Sequence, residues 1–185
     1  MRAIKHGIAR LLVGGVLLAS PAALAESPLF TYATTPGKAQ VQAGVSYGSH
    51  HLAVGVTGRG GYTLPFGLYV GGMTDYFFAN EDFSAPGGTT KGSAWDLGAE
   101  AGYDFGLLGA FVLRPYLGAG NAHGSTSFCP VTGGACTTGG GNDFFFELGG
   151  TASYVGPWFL AGIDVRMLAV SDAMWIVGAH LGLLF

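Results

Sequence analysis

The sequence predicts an all-β protein: an eight-stranded antiparallel up-and-down transmembrane β-barrel, with short periplasmic turns and longer outer loops. Three observations carry that prediction. Eight segments of about ten residues alternate apolar and polar positions, the period of a strand and the length that crosses a bilayer at a tilt. The composition is rich in glycine (34 of 185 residues) and aromatics (13%) and poor in charge (10%), yet past the leader no run of 18 apolar residues exists from which to build a membrane helix. The chain also opens with an export signal.

The opening residues read as an address label. Arg2, Lys5 and Arg10 give a basic start, Leu11–Ala19 is a short apolar run, and Ala23-Leu24-Ala25 has the small-x-small pattern cut by signal peptidase. The apolar run is too short to span a bilayer, and no cysteine follows the cut to carry a lipid anchor. Residues 1–25 are therefore expected to be a cleaved signal peptide, 26–38 a short periplasmic lead-in, and 39–185 the barrel. Removing three of the 8 basic residues leaves 5 against 11 acidic groups, a formal charge of −6. That balance excludes a nucleic-acid partner.

The strands follow in order. In 39–48, Ala39, Val41, Ala43, Val45 and Tyr47 oppose Gln40, Gln42, Gly44, Ser46 and Gly48. In 51–62, Leu52, Val54, Val56 and Tyr62 oppose Thr57 and Arg59; in 68–78, Leu68, Val70, Tyr76 and Phe78 oppose Gly71 and Asp75. Residues 95–105 separate most cleanly, with Trp95, Leu97, Ala99, Ala101, Tyr103 and Phe105 against Asp96, Gly98, Glu100, Gly102 and Asp104. In 112–121, Leu113, Leu117 and Ala119 oppose Arg114, Tyr116 and Gly118. In 143–154, Phe144, Phe146, Leu148, Ala152 and Tyr154 oppose Asp143, Glu147, Thr151 and Ser153. In 159–168, Phe159, Ala161, Ile163, Val165 and Met167 oppose Gly162, Asp164 and Arg166; the last segment, 175–185, closes the set. Residues 63–67, 106–110 and 155–157 read as tight turns. Residues 80–93 and 121–141, rich in Gly, Ser and Thr, read as longer outer loops, and those near Ser49-His50 and Ser171-Asp172-Ala173 as short ones.

An eight-stranded barrel is just wide enough to be filled by side chains. Its inward set is expected to be glycine interspersed with Arg59, Asp75, Asp96, Glu100, Asp104, Arg114, Glu147, Asp164, Arg166 and His180. Charges there persist only when paired or wetted, so the structural reading is an ion-pair plug. The alternative is a small porin whose lumen conducts or gates. On the outward face, Tyr47, Tyr76, Phe78, Trp95, Phe144 and Trp175 fall near one rim, and Tyr62, Phe66, Tyr103, Phe105, Tyr154, Trp158 and Phe185 near the other. These are two girdles at headgroup level.

Cys129 and Cys136, in a turn-rich loop of an exported chain, are expected to form a disulfide that stiffens the loop locally. No metal or cofactor is expected: the cysteines lack further ligands, and adjacent His50 and His51 point opposite ways. His180 reads as a hydrogen-bonding lumen residue. His123-Gly124-Ser125 is similar to the His-x-Ser arrangement of barrel lipases of the lipid A deacylase family. Here no acid follows closely, and the pair sits where a strand runs into its loop. An outer-leaflet lipid-modifying enzyme is thus the least supported reading, and no catalytic residue is assigned.

The alternating finish WIVGAHLGLLF with its terminal Phe185, together with GGYTLPFGLYVGG (60–72) and WDLGAEAGYDFG (95–106), resembles the outer-membrane β-barrel domain family of small, porin-like OmpA/OmpX-type proteins. The resemblance covers essentially the whole mature chain and implies that the barrel-assembly machinery reads the last strand through Trp175, Leu181, Leu183 and Phe185. It also implies a monomer among outer-membrane lipids and lipopolysaccharide, with a structural or surface-interaction role. The chain departs from full-length OmpA in having no peptidoglycan-binding domain after the barrel.

Overall fold

A computed structural model describes residues 30–32, 37–49, 54–85, 87–170 and 173–185. The segment 1–25 expected to be a signal peptide, and His50, His51, Ser171 and Asp172, lie outside the described residues.

Among the described residues there are ten strands and no helix: β1 Phe30–Tyr32, β2 Lys38–Gly48, β3 Val54–Thr63, β4 Leu68–Ala85, β5 Gly88–Tyr103, β6 Phe105–Leu107, β7 Phe111–Pro130, β8 Thr137–Val155, β9 Phe159–Ala169 and β10 Ala173–Leu184. Every pairing is antiparallel. β6 continues β5 in the same register along β7, so the two form one stave. The ladder opens between them because the register places Pro115, which has no N–H to give, opposite Tyr103. Eight staves then close when β10 pairs with β2 and β7 with β8. The last residue completes the seam: Phe185 and Ala39 exchange backbone hydrogen bonds of 2.9 and 3.1 Å. The lead-in contributes β1, three residues that pair with β6.

The register fixes the barrel's shape. From Lys38 the pairing runs through Thr63, Tyr69, Gly102, Tyr116, Gly149, Arg166 and Ile176 and returns to β2 at Gly48, ten residues beyond Lys38. A stagger of that size over eight strands tilts them by about 40° from the barrel axis. The same circuit shows how the lumen is filled, because large and absent side chains alternate along it. The Tyr116 ring lies across Gly149, where a Cβ would come within 2.6 Å of its hydroxyl. The Tyr69 ring lies across Gly61 and Gly71 in the same way. Glycine is the residue that lets a tyrosine lie flat across so narrow a barrel.

One end carries tight turns at 64–67, 108–110 and 156–158. Gly67, Leu108 and Gly109 adopt positive φ there. The opposite end is uneven. The stretches 80–93 and 121–141 are the longer connections at this end, and most of their length is paired strand. β4 and β5 pair out to Ala85 and Gly88 with two register shifts, β5 and β7 out to Gly88 and Pro130, and β7 and β8 out to Phe128 and Thr137. β3 leaves β4 after Phe77 and β9 leaves β8 before Phe146, so a four-stranded sheet stands clear of the barrel. Its β8 edge is exposed on both faces, and a strand with no buried face has no reason to alternate.

Candidate functional site

The lumen is built in three layers. At the turn end, Val112, Val155, Leu160 and Leu184 form one buried apolar cluster. At the outer end, Met73, Phe77, Phe145, Leu168 and Ile176 form another. Between them lies a polar layer in which Arg59, Asp75, Asp96, Glu100, Asp104, Arg114, Glu147, Asp164, Arg166 and His180 are all buried. They come from seven of the eight staves, all but β2. A chain alternating along a closed sheet has only this interior in which to hide polar groups from an apolar exterior.

Arg166 is the hub. Its guanidinium reaches Asp75 Oδ2 at 2.5 Å and Asp164 Oδ2 at 3.2 Å, and its Nε lies 3.8 Å from Glu147 Oε2. Arg59 meets both oxygens of Asp164, at 3.2 and 3.3 Å, and donates to the Tyr116 hydroxyl at 2.5 Å. That hydroxyl donates in turn to Asp164 Oδ1 at 2.7 Å. Arg59 Nε is also 3.6 Å from Glu100 Oε2. Nearer the turn end, Arg114 Nε donates to Asp104 Oδ1 and Nη2 to Oδ2, the latter at 2.8 Å. The same guanidinium sits over the Tyr69 ring, 3.8 Å from its centroid, and the Tyr69 hydroxyl donates to Glu100 at 3.0 Å. Thr63 completes Asp104, and His180 shares a hydrogen bond of 3.1 Å with Ser153. Asp96 accepts the backbone N–H of Asp75 at 3.0 Å.

All of these but the His180–Ser153 pair join in one network, held by Tyr69 and Tyr116 as much as by the ions. Neither tyrosine stands out among candidate charged groups in the sequence. The signal that finds them is parity, since Tyr69 shares the face of Asp75 and Tyr116 that of Arg114. The two apolar caps escape a search for chemistry in the same way, although Met73 and Phe77 share the parity of Asp75.

The outer wall is the reverse. Val41, Val56, Val70, Leu97, Leu117 and Ile163 are exposed around the middle of the barrel. Tyr47, Tyr76, Trp95, Phe144 and Trp175 are exposed toward the outer end, and Tyr62, Phe66, Tyr154, Trp158 and Phe185 toward the turn end. Trp175, Leu181, Leu183 and Phe185 share the outward face of β10. At the outer rim His123 stacks on Trp95 and bonds Asn142 Oδ1 at 2.7 Å. Its partner is an amide, and Ser125 lies opposite Gly140. At the tip of the projecting sheet Cys129 and Cys136 form a disulfide. It closes a loop of sequence separation 7 far from the barrel. Changing both cysteines to serine is therefore expected to leave the thermal midpoint of the barrel unchanged and to speed protease cleavage within 130–137, read by mass spectrometry of the digest.

Solved structures share this architecture. A major outer membrane protein of Thermus thermophilus superposes with a TM-score of 0.61 at 15% identity, covering 80% of this chain and 99% of that one. The attachment invasion locus protein Ail of Yersinia pestis gives 0.60 at 13% identity, covering 81% and 99%. Neisserial surface protein A gives 0.51 at 20% identity, covering 80% and 96%. The fold is that of the small OmpA/OmpX-type outer-membrane barrels. No protein-family model matches the chain, and no curated protein matches its sequence. At these identities the likeness to OmpA/OmpX-type barrels concerns the fold alone.

Proposed function

We propose that the chain is an integral outer-membrane protein with a structural or surface-interaction role and a lumen filled by its own charges. The observation that carries this reading is the inversion of the molecule. Among the described residues of the barrel wall, three arginines and six carboxylates are buried inside, and most valines, leucines and aromatics face outward all round. Water does not tolerate an apolar surface of that extent, whereas a bilayer requires it. The two aromatic bands belong at the headgroups on either side. Residues 1–25 would direct export, and the outward face of β10, with Trp175, Leu181, Leu183 and Phe185, would be read by the barrel-assembly machinery. The projecting β4–β5–β7–β8 sheet is the part available to lipopolysaccharide headgroups or external partners. No enzymatic role is assigned, since His123 is engaged by an amide and an indole.

A conducting lumen is disfavoured by the two buried apolar clusters, one toward each end of the charged layer. The test is to refold the protein into planar bilayers and record single channels. Insertion without steady conductance is expected. A steady conductance in the wild type would overturn the plugged lumen, and failure to enter lipid would overturn the membrane reading.

A further inference from the structure

The lipid-facing wall of the barrel continues outward as one face of the projecting sheet, and the register fixes what stands on it. Above Leu97 and Phe144, Trp95, His123 and Asn142 lie side by side across β5, β7 and β8. Ser93, Ser125 and Gly140 form the next row out. The alternating positions, on the other face, are Ala94, Gly124 and Gly141 and then Gly92, Thr126 and Gly139. Five of those six carry no polar side chain. The hydrogen-bonding groups are thus gathered on the face that prolongs the lipid-facing wall. Trp95 is 44% exposed, and its ring stacks on His123 with 5.8 Å between centroids. Asn142 Oδ1 accepts from His123 Nδ1, which fixes the ring and leaves its Nε2 and the Asn142 amide NH2 for an outside partner. Gly140 keeps that Nε2 uncovered, since a Cβ there would come within 3.6 Å of it. The hydroxyls of Ser93 and Ser125 are given to no partner among the described residues.

On the outer-membrane reading above, we propose that this face binds the sugar rings of the lipopolysaccharide packed against the barrel. Its place points to a lipid headgroup. The face is continuous with the wall that touches acyl chains, and each row rises by about 5 Å on strands tilted by about 40°. The two rows therefore stand where the headgroups of those same lipids lie. Its chemistry points to sugar. A pyranose ring offers C–H groups that pack on an aromatic and hydroxyls that both donate and accept. Trp95 meets the first, and the two serines, the imidazole Nε2 and the Asn142 amide meet the second. A phosphate site would draw on several cations, whereas Lys91 is the one lysine or arginine among the described residues of this end.

The test places the refolded protein in phospholipid nanodiscs that carry rising fractions of purified lipopolysaccharide. The Trp95 indole N–H and the Asn142 side-chain amide are followed by NMR. Saturating shifts of both signals are expected, and they should persist in about 0.5 M sodium chloride, where exposed charge contacts are screened. Phosphatidylglycerol in place of lipopolysaccharide should move neither. Ser93→Ala combined with Ser125→Ala removes two hydroxyls and no hydrogen bond of the fold, so it is expected to raise the half-saturating fraction by at least about fivefold. Shifts that phosphatidylglycerol reproduces, that salt abolishes or that the double variant leaves unchanged would overturn the sugar site. So would the absence of any shift in protein that has entered the disc. Protein that fails to enter the disc would instead overturn the membrane reading on which the site rests.

Discussion

Replacing Arg166 by alanine is expected to destabilise the refolded barrel by roughly 3–5 kcal/mol, the cost of removing one partner from a buried ionic network. The residue is 1% exposed and is the guanidinium shared by Asp75, Asp164 and Glu147. Without it Asp75 keeps no cation in contact among the described residues, Asp164 retains only Arg59, and Glu147 loses its paired guanidinium. Nothing can move in to compensate, because the described lumen holds only two other guanidiniums, Arg59 and Arg114, each already engaged. Arg166→Lys restores the charge but not the fork that spans two aspartates, so it should recover only part of the loss. Urea titration of the protein in lipid vesicles, followed by tryptophan fluorescence, measures both variants. A change below about 1 kcal/mol in Arg166→Ala, the size typical of exposed ion pairs, would show that the network contributes little.

The asymmetry between fold and site in the sequence has a physical origin. Alternation is imposed on every strand that separates lipid from lumen, so Trp95 to Phe105 declares its two faces without any structure. Parity then places Arg59, Asp75, Arg114 and Arg166 together on the inward side, and the structure buries all four. What parity cannot supply is height along the barrel or the partner across it. That Arg166 meets Asp75 depends on the ten-residue stagger of the closed sheet, a property of the whole register and of no single segment. The same limit hides the caps: Phe77 and Phe145 look like ordinary members of aromatic strands until the register brings them to one level. The projecting sheet is hidden for another reason. Residues 137–143 are exposed on both sides, so composition alone, Gly and Thr, stands where alternation would otherwise speak.

The position of the caps leads to an expectation that separates them from the charges. If the ion pairs alone sealed the lumen, Arg114→Ala or Glu100→Ala would open it. In this structure Phe77, Phe145 and their neighbours lie above the charged layer, and Val112, Val155, Leu160 and Leu184 lie below it. Removing one charge leaves both apolar layers in place, so neither single variant is expected to conduct. Arg114→Ala should still lose stability, because Asp104 loses its paired guanidinium. Opening a path requires losses in series. Phe77→Ala with Phe145→Ala removes the two aromatic rings of the outer cap, and Val112→Ala with Leu160→Ala thins the inner one. The outer double variant alone should remain silent, since the inner cap persists. The quadruple variant should admit water to the plug and raise conductance from none to brief, small steps, and adding Glu100→Ala should lengthen them. Recordings in planar bilayers at fixed salt read each step. Steady conductance from Arg114→Ala alone would place the seal in the ion pairs, whereas silence there with openings only after both caps are cut places it in the apolar layers.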